Sequence, residues 1–525
     1  MKRRYGSLLI FIAVTVLVFA LGILFLQVFL RGSVTSYIEN LLEKKIGSEL
    51  NQSTGDSLVV NIQKLEFNGF PLTVSTPDIS IYAETGVDNA DSSAMLYTKV
   101  YEAGIINLEI SLKPLVLIAL GQKKFNVNCF QADSVYFRTK HLSEEPGVVS
   151  NTLQEFQIGP IRFKGKIELP DDKGNGNESL TFERHSFQAA NLYAYLPQNL
   201  KSFYIDSISF DGTRENLRME KIVMLPIYPK EEFFRHVEFE TDRIETHLDN
   251  IDVNGFRTYK KDGRRGVIVS RVNISKGVID IFRDRRPPFN EEQRPAMPVR
   301  LILSAPIDLY FAEINISETD ILYSEFPENG SESGFPEATG NVTFNRLKVT
   351  VKNISNIADS LQNDSTMQIK AEAFVFDDAL LQADFRYNLK DINGGYTADV
   401  KLSEFRFEII NPAIYPLAGI KIAEGIHSSS VFSFTGNDVA SRGELYMGWN
   451  GLLLDLTPEA GDFISGLSKS FGKIVYHPSS PNNENNEPSG EIFFERDIKR
   501  FVFHYWWNCY LSGIKKSVLR DFVSS

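Results

Sequence analysis

The chain has 525 residues, 43% of them hydrophobic, and a net charge of −12. With no basic block longer than a few residues, this balance excludes a nucleic-acid partner, because neutralising phosphates takes clustered Lys and Arg. Two cysteines, Cys129 and Cys509, exclude a disulfide framework and leave either one long-range bond or, the favoured reading, two isolated thiols acting as small apolar groups.

Met1, Lys2, Arg3 and Arg4 precede "GSLLIFIAVTVLVFALGILFLQVFL", residues 6–30, which carries no charge and ends at Arg31. It exceeds the roughly 20 residues that cross about 30 Å of hydrocarbon and is too long for a secretory core of about 7–15 residues. Residues 1–31 are therefore expected to be a cytoplasmic N-terminus and a single-pass signal anchor, with the bulk of the chain across the membrane. Residues 32–55 follow as an amphipathic helix, with Val34, Ile38, Leu41, Leu42, Ile46 and Leu50 on one stripe, expected to cap the first end of a sheet.

From about residue 56 the period becomes two. "RLKVTVK" sets Leu347, Val349 and Val351 against Lys348, Thr350 and Lys352. "LQADFRYNL" sets Leu381, Phe385 and Tyr387 against Gln382, Asp384 and Arg386, and "EFRFEI" sets Phe405, Phe407 and Ile409 against Glu404, Arg406 and Glu408. Such alternation predicts antiparallel strands with one apolar and one watery face, and disfavours a doubly wound parallel fold. Polar stretches at 85–94, 143–151, 171–179, 285–298, 327–340 and 478–490 read as loops. They divide the chain into an N-terminal β region at 56–284, a C-terminal β region at 285–477 and a closing segment at 478–525. Helical candidates are few: 112–121, 412–424, 458–472 and the stretch from 499. So little cover means the apolar face must meet a second sheet, close on itself or hold something that is not protein. Periodicity alone favours a sandwich or barrel over a ligand-filled groove.

No zinc-protease, P-loop, nucleophile-elbow or dinucleotide motif occurs, and the seven histidines are dispersed, so a non-enzyme without metal or cofactor is expected. Arg283, Arg285 and Arg286 in "FRDRR" could grip a lipid phosphate; a solvated hairpin end is the plainer reading. Eight N-x-[ST] sequons, among them Asn273, Asn315, Asn341 and Asn353, fall partly in predicted strands and carry no functional weight. In "FVFHYWWNCYLSGIKKSVL", Phe503, Trp506, Trp507, Tyr510, Ile514 and Val518 fall on one helical stripe, which predicts a helix docked on the last strands. A rival reading gives Trp506 and Trp507 to a membrane or partner contact. His504 and Cys509 point different ways around that helix, against a nucleophile and its base.

The anchor followed by an amphipathic helix and strands resembles the AsmA-like family of Gram-negative envelope proteins. So do "INLEISLKPLVLIALGQKKFNVNCFQADSVYF", "SKGVIDIFRDRRPP", the region "PLAGIKIAEGIHSSSVFSFTGNDVASRGELYMGWNGLLLDL" and the terminal "FERDIKRFVFHYWWNCYLSGIKKSVL". The resemblance spans nearly the whole chain in architecture, through degenerate motifs. It implies a mainly β, elongated, twisted antiparallel sheet forming a taco-like apolar groove, anchored in the inner membrane with its bulk in the periplasm. In that reading the groove holds or conducts phospholipid in support of outer-membrane biogenesis. Lipid contacts are expected at Leu347, Val349, Val351, Leu381, Phe385, Tyr387, Phe405, Phe407 and Ile409. Partners would be phospholipid, the inner membrane and outer-membrane or periplasmic proteins. The alternative is a non-enzymatic assembly factor or scaffold that binds protein partners.

Overall fold

The computed structural model describes residues 57–63, 66–69, 72–86, 97–112, 124–125, 127–143, 151–168, 181–196, 200–261, 264–328, 338–456, 474–479 and 489–524. The predicted anchor at 1–31 and the helices at 34–50, 112–121 and 458–472 lie outside the described residues. Among the described residues no helix is long and apolar enough to cross a membrane. The chain divides into two compact units, Met1–Thr213 and Arg214–Ser525, and both are mainly β.

In the first unit the strands are β1 (Ser57–Ile62), β2 (Glu66–Gly69), β3 (Leu72–Gly86), β4 (Tyr97–Leu112), β5 (Lys124–Phe125), β6 (Val127–Ala132), β7 (Ser134–Ser143), β8 (Asn151–Ile158), β9 (Ile161–Glu168), β10 (Thr181–Leu196) and β11 (Lys201–Asp211). Several of these are collinear pieces of one long strand. β1 and β2 lie end to end along β3. β6 and β7 lie end to end along β4, and β8 and β9 along β10. The unit is thus an antiparallel meander in chain order, closing on the β10–β11 pair. Its described residues include no helix.

In the second unit the strands are β12 (Asn216–Pro226), β13 (Asp242–Asn254), β14 (Arg257–Lys261), β15 (Arg264–Val269), β16 (Arg271–Asp284), β17 (Asp308–Phe326), β18 (Gly340–Ser355), β19 (Thr366–Val375), β20 (Ala379–Asn388), β21 (Tyr396–Leu402), β22 (Phe405–Arg406), β23 (Ile420–Gly436), β24 (Ala440–Leu456), β25 (Ile474–Ser479) and β26 (Gly490–Glu495). The helices are α1 (Lys230–Phe233), α2 (Pro298–Leu303), α3 (Ala358–Asn363), α4 (Asn411–Ala418) and α5 (Val502–Ser524).

The expectation of a purely antiparallel sheet is corrected here. β15 and β16 run parallel to β17, with Gly266 opposite Asp308 and Asp284 opposite Phe326. A parallel neighbour needs a crossover of a dozen residues or more, and residues 285–307, which hold α2, supply it. The predicted division at 284 and 285 falls at this crossover, inside the second unit. From β17 onward the pairing is antiparallel through β18, β19, β20, β21, β23 and β24, with β25 and β26 both on β24.

Two elements differ from the sequence reading. In "EFRFEI" only Phe405 and Arg406 are strand; Phe407–Ile410 turn into a 3-10 helix that leads directly into α4. The helix expected at 412–424 stops at Ala418, because Gly419 adopts φ 65° and β23 begins at the next residue.

A dense core fills the last part of the second unit. Met297, Tyr387, Leu389, Leu445, Ile492, Tyr505 and Cys509 are almost fully buried in one cluster, so α5 lies across the face of β20–β26. Tyr505, Cys509, Gly513 and Ser517 form its buried edge, while Phe503 and Trp507 face water. The predicted stripe is therefore rotated. Small residues decide the rotation: a Cβ on Gly490 of β26 would lie 2.2 Å from the Gly513 carbonyl oxygen, so helix and strand approach backbone to backbone.

Candidate functional site: an apolar sheet face

Register carries apolar residues across the strands in rows. In the first unit Ile110, Phe130, Phe163, Phe187 and Phe210 stand opposite one another from β4 to β11. Nearer the other strand ends, Ala103, Phe137, Phe156, Ala194 and Phe203 form a second row over the same strands. These rows have opposite parity, since 110 is even and 103 is odd. Strict alternation would put them on opposite faces.

A break at the same level of each strand keeps them on one face, with register unchanged across it. In β4 both Ile105 and Leu108 are buried, and the two residues between them, Ile106 and Asn107, are exposed. Asn107 takes φ 50°, a left-handed conformation that Asn tolerates better than most residues. The neighbouring strands break at the same level. Asp133 is exposed between Ala132 and Ser134, Gly159 and Pro160 separate buried Ile158 and Ile161, and Asn191 at φ 50° interrupts β10. Side chains tie the line together: Asn107 Nδ2 donates to Asp133 Oδ2 at 2.7 Å, and Tyr204 donates its hydroxyl to Asn191 Oδ1 at 3.1 Å.

The second unit repeats the device. Asn250 (φ 53°), Glu318 (φ 46°) and Arg346 (φ 54°) sit mid-strand in β13, β17 and β18. The Arg346 N–H donates to Asp320 Oδ1 at 2.8 Å. On one side of the line run Leu217, Val253, Val272, Ile314 and Val351 in register. Register shifts appear at this line only where β18 pairs with β17 and β19; between β12, β13, β16 and β17 the paired strands change phase together, which leaves their apolar side chains on one side.

The sequence reading missed this line, though a signal is present. "NLEI" at 107–110, "NLYA" at 191–194 and "NIDV" at 250–253 each place Asn before an apolar residue, and alternation changes phase there.

The predicted contact residues fall into two groups. Phe385, Tyr387, Phe405 and Phe407 are buried and already have protein against them. The Phe385 ring centroid lies 4.4 Å from that of Trp506. Phe405 stacks on His427 at 4.4 Å, with Phe407 at 5.5 Å from Phe405. As groove-lining positions these four are corrected, because α5 and the 3-10 segment occupy the space. Leu347, Val349, Val351, Leu381 and Ile409 are partly buried; Val351 and Ile409 also pack against that core. Trp506 faces inward and Trp507 outward, so the two adjacent tryptophans have different roles.

The three arginines are engaged within the chain, and "FRDRR" is not the solvated hairpin end of the plainer reading, since Arg283 and Arg286 are largely buried at the start of the crossover. Arg283 grips Asp242 through two bonds of 2.7 and 2.8 Å and lies 3.6 Å from Glu240. Burial opposes its charge, but Asp242 and Glu240 outweigh it and hold the pKa above the usual arginine value. Arg285 meets Glu325 at 3.3 Å. Arg286 clasps Asp284 at 2.5 Å and lies 3.7 Å over the Phe234 ring. Arg500, just before α5, joins the same cluster at Glu240, 3.1 Å away. These contacts pin the crossover loop and the start of α5 to β13, β16 and β17.

His427 and Cys509 are among the titratable groups buried in this unit. His427 is 1% exposed, with Nδ1 3.0 Å from the Ser403 carbonyl and Nε2 2.9 Å from Ser430 Oγ. A carbonyl can only accept, so Nδ1 carries the proton and Nε2 accepts from the hydroxyl. Burial lowers its pKa to about 4. Cys509 lies 2.7 Å from Ser441 Oγ, and burial raises its thiol to about 11. His504 instead meets Asn508 one turn along α5. Both cysteines are free, Cys509 buried and Cys129 half-buried. Among the described residues no three His, Cys, Asp or Glu side chains gather as a metal site would require.

No family model, curated protein or solved structure matches this chain.

Proposed function

We propose that the protein is a non-enzymatic holder or conductor of phospholipid, anchored in the inner membrane by residues 1–31, its β units lying in the periplasm and supporting outer-membrane biogenesis. The observation that carries this reading is the line of phase changes. In both units it keeps one apolar face across positions where ordinary alternation would have turned half of the aliphatic and aromatic side chains outward. In this reading that face is a trough whose walls are hydrocarbon. Acyl chains need no directional partner, and the rows supply none; head groups remain in water at the open edge.

The reading is narrower than the sequence suggested. In the second unit the acyl seat runs along β12–β18, through Leu217, Val272, Ile314 and Val349, and ends where α5 covers the face. Native mass spectrometry of the purified chain tests it. Phospholipid should accompany the wild type, and Val272→Glu with Ile314→Glu should remove it with the thermal unfolding midpoint lowered by only a few degrees. A wild-type protein that carries no lipid contradicts the reading.

A further inference from the structure

The apolar row of the second unit does not stop at β18. Val351 stands opposite Ile369 of β19, and in register the row runs on through Phe385, Ala398 and Phe434 to Ile492 of β26. Val351 and Ile369 are half-buried, whereas Phe434 and Ile492 are almost fully buried in the core that α5 covers. The register is the same on both sides of that boundary. It is the helix, and nothing in the sheet, that ends the face assigned to acyl chains.

The helix fits this place imperfectly. Among the described residues four buried polar atoms have no hydrogen-bond partner where helix and sheet meet: the hydroxyls of Tyr387 and Tyr396 on the sheet, and the Tyr505 hydroxyl and Trp506 Nε1 on α5. Tyr387 neighbours Trp506 and Tyr396 neighbours Tyr505, yet neither pair meets hydrogen-bond geometry. Buried polar groups are ordinarily paired, and each one left single carries a desolvation cost that exposure to water removes. The helix joins β26 through residues 496–501, so these residues are its hinge. Three cations hold that hinge. Arg496 Nη2 donates to the Pro295 carbonyl at 2.6 Å, Lys499 pairs with Glu291, and Arg500 lies 3.1 Å from Glu240 and 3.6 Å over the Phe289 ring. Pro295, Glu291 and Phe289 belong to the crossover loop, and the Glu240 N–H is tied to the same loop through the Pro288 carbonyl at 2.9 Å.

We propose that α5 is a clasped lid: freed at Arg496, Lys499 and Arg500, it swings about residues 496–501 away from β20–β26, and acyl chains take its place along the same row. Lipid that binds only the uncovered face then holds the lid open by mass action. The proposal rests on the lipid-holding reading and adds to it a control on how far the occupied face extends.

The test uses the full chain in phosphatidylethanolamine vesicles, with Cys129→Ser leaving Cys509, on the buried edge of α5, as the one thiol. Arg500→Ala with Lys499→Ala should raise alkylation of Cys509 by N-ethylmaleimide at least about tenfold without denaturant, and Glu291→Ala alone should raise it less. In the double variant a diazirine amino acid at Phe434 should form phospholipid adducts that the intact clasp prevents, while adducts from the same probe at Ile314 persist. A bismaleimide link between Glu491→Cys and Lys516→Cys, whose parent side chains meet at 2.9 Å, made with Cys509→Ala, should hold the helix down and abolish the Phe434 adducts. Cys509 left protected in both clasp variants, or Phe434 adducts that persist through the link, would overturn the lid. Phospholipid absent at Ile314 in every form would overturn the lipid-holding reading, and with it the acyl role of the lid, while Cys509 alkylation still reports whether the helix lifts.

Discussion

Phe385 on β20 and Trp506 on α5 meet with ring centroids 4.4 Å apart and planes tilted by 33°. Through this contact the terminal helix covers the apolar face at β20. Trp506→Ala should therefore destabilise the second unit by roughly 3 kcal/mol, within the usual cost of emptying a large aromatic site. Trp507→Ala, one residue on but facing water, should change stability by less than about 0.5 kcal/mol. Denaturant unfolding of the two variants makes the comparison, and equal losses would mean that the helix is rotated from the position described.

His427 sets an acid limit on the same core. Its folded pKa, about 4, lies below the ordinary histidine value of 6.5. Between those values the unfolded chain binds the extra proton and the folded chain does not. The stabilising contribution is thus fully present above about pH 6.5 and is lost as pH falls toward 4, by up to roughly 3 kcal/mol. His427→Gln should be less stable at pH 7.5 and should lose less between pH 6.5 and 4.5 than the wild type. Thermal unfolding across that range checks both.

Cys509 should behave as an inert thiol. Burial and a pKa near 11 leave almost no accessible thiolate at pH 8. Alkylation of the folded chain followed by mass spectrometry should modify Cys129 first and reach Cys509 only after denaturation. Early modification of Cys509 would show that α5 leaves the sheet readily.

Arg283 is held by Asp242 and Glu240, and its removal would leave two partly buried carboxylates facing each other. Arg283→Ala should cost about 3 kcal/mol or more. Arg285→Ala, whose side chain is 41% exposed beside Glu325, should cost under about 1 kcal/mol. If the arginines bound phosphate head groups instead, both substitutions would lower lipid load and leave unfolding nearly unchanged.

Much of the architecture was legible because alternation reports a half-buried strand directly. "RLKVTVK" lies within β18 and "LQADFRYNL" within β20 except for Leu389, and the terminal aromatic stretch is a helix. What alternation does not report is phase. A left-handed residue such as Asn107 or Asn250 reverses every later side chain, so the inward set can be followed only if each phase change is noticed. The parallel β16–β17 pair was hidden for a related reason: strands with one watery face look alike whichever way their neighbour runs. Phe405 and Phe407 read as strand because their spacing of two also fits a strand entering a 3-10 turn. The packing of α5 over Phe385 was hidden since the close approach depends on Gly490 and Gly513, which add nothing to a hydrophobic pattern.

Photo-crosslinking from a diazirine amino acid at Ile314, compared with the same probe at Phe434, tests the central claim most directly. Ile314 lies on the face assigned to acyl chains, and Phe434 on the same side of the sheet beneath α5. Phospholipid adducts at Ile314 with none at Phe434 are the predicted result. Adducts at neither position, or protein adducts alone at Ile314, would contradict a hydrocarbon-bearing face.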